Sequence, residues 1–212
     1  MSGAHALGLA LAYLIGAIPV GLLAGFARGV DVRTVGSGNI GATNVMRAVG
    51  PLIGLAVFLV DVLKGAGGVM LCSALGLQGW LLGMGALFVV MGHCFSPYLA
   101  FKGGKGVATA LGAFLALRPL PALGCLVLWI LLVALTRYVS LGSIVAVAAA
   151  PVIFYAAAPG QDTELVVLVA ALALLVVGRH NDNIERLLRG TENRIGGKRK
   201  SAEPPSEAES DE

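Results

Sequence analysis

Long, nearly unbroken apolar runs divide this chain, and the breaks between them are rich in glycine, proline and charge. Runs of roughly 20 apolar residues read as membrane helices. His5–Ala27 is the first run, followed by an arginine- and glycine-rich loop, Arg28–Gly50. Pro51–Leu75 is the second, opening on a proline at a helix start, where a missing N–H costs nothing. After a tight turn at Gly76–Gly79 comes Trp80–Leu99, with Trp80 placed as an interfacial anchor. A lysine- and glycine-rich loop, Ala100–Gly106, follows.

Val107–Leu117 is too short to cross a bilayer alone. It ends at Arg118-Pro119-Leu120-Pro121, and Ala122–Thr136 beyond is also short. Tilted spans and a re-entrant pair both fit these two segments. Val139–Ala158 is a clean span, Pro159–Glu164 a polar turn and Leu165–Gly178 the last span. Arg179–Lys200 is basic. Ser201–Glu212 carries five acids and no base, which reads as a disordered acidic tail. The pattern predicts an all-α polytopic membrane bundle of about seven helices, two of them short. It forms one domain over residues 1–200, with the tail at 201–212.

Composition agrees. Hydrophobic residues make up 57% of the chain and charged residues 13%, with a mean hydropathy of +0.86. A soluble core of this size could not hide so much apolar surface. The first run lacks the basic flank of a signal peptide and reads as a retained helix. Cys72, Cys94 and Cys125 sit apart in apolar stretches, without metal-ligand spacing, and read as buried small hydrophobes. No metal site and no cofactor are expected.

Charge sets the orientation. Thirteen of the fifteen Lys and Arg residues fall on one side if the two glycine-rich loops, Arg137 and the C-terminal segment lie together. The positive-inside rule makes that side cytoplasmic, with the N-terminus outside and the C-terminus inside. Seven crossings satisfy this if both short segments cross, and five if they form a re-entrant pair. Basic loops on such a protein report topology, so nucleic acid is not an expected partner. The bilayer is.

Three polar constellations share the basic side. The first is Gly36-Ser37-Gly38-Asn39-Ile40-Gly41-Ala42-Thr43-Asn44, then Arg47. It contains GxGxxG, but no strand precedes it and no acid follows about 20 residues on, so a dinucleotide fold is rejected. Its glycines let backbone N–H groups converge on an anion. Ser37, Asn39, Thr43 and Asn44 add donors, and Arg47 can grip a phosphate with two N–H groups. A helix starting near Asn44 would turn its positive end to the same place.

The second is His93, then Lys102-Gly103-Gly104-Lys105-Gly106 before a helical run. Gly106 stands where a Walker A loop needs Ser or Thr. What remains is lysine and backbone donors at a helix start. The third is Arg179-His180-Asn181-Asp182-Asn183-Ile184-Glu185-Arg186, then Gly190-Thr191-Glu192. Asp182 and Glu185 suggest a helix cap, and Ile184, Leu187 and Leu188 an interfacial helix. His180, Asn183 and Glu192 are polar beyond what anchoring needs. Asp61 and Lys64, at i,i+3 within the second span, predict an internal ion pair.

The stretches GSGNIGATNVMR, GHCFSPYLAFKGGKGVAT and RHNDNIERLLRGTE resemble the bacterial acyl-phosphate:glycerol-3-phosphate acyltransferase family of the PlsY type. The resemblance runs over about residues 5–195, DVLKG at Asp61–Gly65 included. It implies transfer of a fatty acyl group from acyl phosphate to the 1-hydroxyl of glycerol 3-phosphate, giving lysophosphatidate and inorganic phosphate, the first acylation of bacterial phospholipid synthesis. It implies a site on the cytoplasmic face of the inner membrane and coupling to a soluble enzyme that makes acyl phosphate.

The implied catalytic residues are Ser37, Lys105, His180 and Asn183. The implied substrate-binding residues are Gly38, Asn39, Gly41, Asn44, Arg47, Lys102, Gly103, Gly104, Gly106, Arg186 and Glu192. The family uses no acyl-CoA and lacks the HxxxxD motif of soluble acyltransferases; Tyr98 stands five residues after His93. An acyl phosphate is already activated, so no covalent serine or cysteine is needed. The competing reading is a membrane transporter of a phosphorylated solute, which would more naturally hold its site near the midplane.

Overall fold

The computed structural model describes residues 2–158, 160 and 162–197. The acidic segment Ser201–Glu212 and Lys198–Lys200 lie outside these residues.

The first apolar run is two helices, not one: α1 (Gly3–Ala17) and α2 (Val20–Phe26). Pro19 separates them, because proline lacks an N–H and its ring displaces the carbonyl four residues back. The freed carbonyls find side-chain donors instead. Ser96 Oγ donates to Ala17 O at 2.6 Å and Lys64 Nζ to Ile18 O at 2.9 Å. A broken helix is tolerated in an apolar interior where neighbours satisfy its backbone in this way.

The remaining helices are α3 (Ala42–Ala48), α4 (Pro51–Ala74), α5 (Gly79–Cys94), α6 (Val107–Leu117), α7 (Pro119–Thr136), α8 (Val139–Ala157), α9 (Thr163–Gly178) and α10 (Asn181–Leu188), with one 3-10 turn at Pro97–Leu99. Five stretches among the described residues are long and apolar enough to cross a membrane: Gly3–Phe26, Pro51–Ala74, Gly79–Leu99, Pro119–Thr136 and Val139–Ala157. α9 and α10, bent by 60° at their junction, make a sixth if counted together.

Three expectations change. The segment expected to be short from Ala122 starts at Pro119 and reaches 18 residues, long and apolar enough to cross a membrane. Prolines at the start of a helix lose no hydrogen bond, so Pro119 extends α7 rather than ending it. Only the 11-residue α6 stays short. The helix expected near Asn44 is a separate element, α3, starting at Ala42, while the long span begins at Pro51. No side chain caps α10, and its N-cap is His180 rather than Asp182.

α4 is central, packing against α1, α3, α5 and α6. Small residues allow this closeness. A Cβ on Gly112 would run into the Val62 carbonyl, and one on Gly65 into that of Thr109, so α4 and α6 meet backbone to backbone. Gly16 and Gly92 do the same between α1 and α5, against Val89 and Tyr13. Meanwhile Leu52, Leu135 and Leu174 are at least 75% exposed on the protein itself. Apolar side chains facing outward from a glycine-packed interior identify the bilayer as the solvent.

Candidate active site

The Arg28–Gly50 segment is built around a buried polar side chain. Asn44 is buried; its Oδ1 accepts the Ser37 N–H at 2.9 Å, and its Nδ2 donates to Val32 O (2.8 Å) and Val35 O (3.0 Å). Asn44 thus spends its polar atoms shaping the loop. Gly36 and Gly38 take the left-handed backbone, at φ +64° and +68°, and a Cβ on Gly36 would strike Asn44. Asn39 Oδ1 accepts the Gly41 N–H at 2.7 Å. Gly21 of α2 lies against the Ile40 carbonyl, seating the loop on α2. Ser37 and Gly38 remain exposed, and Arg47 follows in the last turn of α3.

The second loop is clamped from below and from the side. Gly103 and Gly104 donate their N–H groups to Cys94 O (3.1 Å) and His93 O (3.0 Å). A Cβ on Gly104 would meet the His93 imidazole. Arg179 Nε donates to Gly104 O at 3.2 Å, its Nη2 donates to Gly103 O at 3.1 Å, and its guanidinium lies 5.4 Å from the Phe95 ring centroid. Past the clamp, Gly106 turns left-handed at φ +85° and α6 begins. The N–H groups of Lys105, Gly106, Val107 and Ala108 donate to no acceptor among the described residues. A row of free donors at a helix start is an arrangement that suits an anion.

The bend between α9 and α10 supplies the third wall. Lys105 Nζ donates to Asn183 Oδ1, and Asn183 Nδ2 donates to Glu192 Oε1 at 2.9 Å. Ser140 Oγ donates to the same Oε1 at 3.0 Å, and Arg186 Nε to Oε2 at 2.7 Å. Glu192 therefore gathers three donors from α8 and α10 while its side chain is only 5% exposed. His180 is buried, with Nδ1–H donating to Val176 O at 2.7 Å. A carbonyl can only accept, so Nδ1 carries the proton and Nε2 keeps a free lone pair.

Burial, and then Arg186, pull the Lys105 ammonium down to about 8 despite the opposing pull of Glu192 and Asp182. Arg47 is also lowered, first by burial; Glu192 raises it and Arg186 lowers it, which sets Arg47 in the same field. His180 falls to about 4, chiefly by burial. Four cations (Arg47, Lys105, Arg179 and Arg186) thus face two carboxylates, Glu192 and Asp182. The surplus suits an anion of two or more charges.

Arg47, Lys105, His180, Asn183, Arg186 and Glu192 are brought into one cluster, with Gly103, Gly104 and Gly106 shaping its floor. Ser37, Gly38, Asn39 and Gly41 stay on the first loop, joined to Arg47 through Asn44 and α3. Lys102 is exposed and its side chain bonds nothing among the described residues. Two contributors receive no role from sequence: Arg179, which opens the third constellation, and Ser140, one hydroxyl in an apolar helix. The available signal for Arg179 is its place next to His180 in that constellation; Ser140 offers none.

Fold and site together define a polytopic helical membrane protein with a cation-rich candidate site walled by three segments of the chain. A family model described as glycerol-3-phosphate acyltransferase matches residues 6–190. Among similar proteins, the glycerol-3-phosphate acyltransferase of Geobacter sulfurreducens is 50% identical over 187 residues, covering 88% of this chain and 95% of that one. The Thermus thermophilus enzyme of the same name is 47% identical over 188 residues, covering 89% and 94%. A crystal structure of PlsY, an integral membrane glycerol 3-phosphate acyltransferase in its glycerol 3-phosphate form, superposes with a TM-score of 0.87 at 40% identity, covering 92% of this chain and 96% of that one. Its lysophosphatidic acid form gives 0.84 at 39% identity, with the same coverage. The chain belongs to the glycerol-3-phosphate acyltransferase family.

Proposed function

We propose that this protein transfers a fatty acyl group from acyl phosphate to the 1-hydroxyl of glycerol 3-phosphate, releasing lysophosphatidate and inorganic phosphate. The acceptor and product follow from its family and from the two forms of the related PlsY structure. The observation that carries the reading is the Lys105–Asn183–Glu192–Arg186 chain beside unpaired N–H groups at the start of α6. Such an array can hold two mutually repelling anions in reacting geometry, which is most of what an activated donor requires.

Ser37, Gly38, Asn39 and Gly41 receive the acyl-phosphate group, with Asn44 holding their loop in shape. Lys105, with the Gly103, Gly104 and Gly106 backbone, stabilises charge on the acyl oxyanion and the departing phosphate. Arg47 and Arg186 grip the glycerol 3-phosphate anion. Asn183 and Glu192 fix Lys105 and Arg186. Lys102, at the mouth, attracts anionic substrates.

The acceptor oxygen attacks the acyl carbon, the acyl–phosphate C–O bond breaks, and the hydroxyl proton ends on a phosphate oxygen. A phosphate monoester, with a second pKa of about 6, is a stronger base than an imidazole held at about 4. His180 is therefore assigned to orienting the hydroxyl through Nε2, while a phosphate takes the proton. No cofactor or metal enters these roles.

The wider reading places residues 1–200 as one acyltransferase domain in the bacterial cytoplasmic membrane. The N-terminus is outside, the site faces the cytoplasm, and a soluble enzyme supplies the acyl phosphate. The acidic tail stands as a solubilising appendage. The test is purified protein in lipidic medium with palmitoyl phosphate and glycerol 3-phosphate. Acceptor-dependent phosphate release matched by lysophosphatidate is expected. Folded protein that yields neither, or vesicles that only take up glycerol 3-phosphate, would overturn the reading.

A further inference from the structure

Asp61, Lys64 and His93 are buried charged or titratable groups that the proposed chemistry does not use. Lys64 Nζ lies 2.8 Å from Asp61 Oδ1, and His93 Nδ1 lies 3.7 Å from that same oxygen. A buried ion pair is weak evidence for stability, because desolvation offsets most of the attraction. Its ends show another use. At one end, Lys64 Nζ donates to Ile18 O in the break between α1 and α2. α2 then carries Gly21, on which the Ile40 carbonyl of the Ser37 loop rests. At the other end, the His93 imidazole lies directly beneath Gly104, with no room for a methyl group between them.

We infer that Lys64, Asp61 and His93 form a positioning network that fixes the Ser37 loop relative to the Lys105 loop. It reaches both loops from beneath and touches neither substrate. This inference rests on the acyl-transfer reading, which assigns the two loops to reacting groups. A network that sets their separation governs the transfer step more than the binding of either substrate. Asp61 Oδ1 pairs with Lys64 and lies 3.7 Å from the imidazole, too far for a hydrogen bond, so the carboxylate couples the two through its charge and close packing.

The test is the Asp61→Leu/Lys64→Met double variant, assayed beside the native protein. Native turnover, measured first, tests the acyl-transfer reading separately. Replacing both charges by apolar groups leaves no orphaned ion, so the unfolding temperature is expected to hold or rise. Turnover is expected to fall about 100-fold, as for a misplacement of about 1 Å. KM for glycerol 3-phosphate is expected to stay within about threefold. Turnover within about twofold of native in a folded variant overturns the proposal.

A single variant stands independently of that one. His93→Ala removes the ring beneath Gly104 and is expected to lower turnover about 100-fold, with KM for glycerol 3-phosphate within about threefold. Turnover within about twofold of native in folded His93→Ala overturns the proposal.

Discussion

Lys105 Nζ donates to Asn183 Oδ1, joining the loop before α6 to the first turn of α10 across 78 residues of sequence. One amide thereby fixes the direction of the ammonium and, through its own N–H, the position of Glu192. The pair states in two residues what the three loops do together.

Because burial holds Lys105 at about 8, its charge is lost as pH rises through that value. The kcat/KM profile is expected to fall on the alkaline side near pH 8, where it reports the free enzyme. Lys105→Arg keeps its charge beyond about pH 12 and is expected to abolish that limb, at a cost in absolute rate because the guanidinium has a different shape. A limb unmoved by the substitution would assign it to another group.

His180 is neutral throughout the usual working range, since burial holds it at about 4. The acid limb is expected near about pH 6, the second ionisation of a phosphate monoester, and to be unchanged in His180→Gln. Loss of the limb in that variant would make His180 the base.

Glu192 gathers Ser140, Asn183 and Arg186. Glu192→Ala frees all three and is expected to lower kcat/KM about 100-fold. Ser140→Ala removes one bond of about 1 kcal/mol and is expected to cost about fivefold at most. Steady-state kinetics on the two variants check the order.

Lys102 is exposed, so Lys102→Ala is expected to raise KM for the anionic substrates about threefold with kcat unchanged. The difference from native should shrink as salt is added. A fall in kcat would place Lys102 inside the reacting site.

Gly112 lets α6 lie against the Val62 carbonyl of α4. Gly112→Ala is expected to destabilise the protein by about 1–3 kcal/mol, read as a lower unfolding temperature in detergent.

Much of this architecture is legible in the residues. Apolar runs locate the spans, and glycine beside lysine marks the anion loop, because each signal is local. The ion pair of Asp61 and Lys64 follows from i,i+3 spacing alone. The break at Pro19 is less legible, since its tolerance depends on Lys64 and Ser96 arriving from distant helices. Asn44 reads from sequence as a free donor, whereas folding turns it inward to Val32 and Val35. Arg179 and Ser140 escape for the same reason: their partners are set by how helices pack, not by neighbours in the chain.

The central claim is that the acceptor hydroxyl attacks the acyl carbon within this one site. The most direct measurement uses glycerol 3-phosphate carrying heavy oxygen in its 1-hydroxyl, with acyl phosphate and purified protein, followed by mass spectrometry of both products. The label is expected wholly in the ester oxygen of lysophosphatidate, with unlabelled phosphate released. Label in a new phosphate ester, or free fatty acid in place of lysophosphatidate, would contradict it.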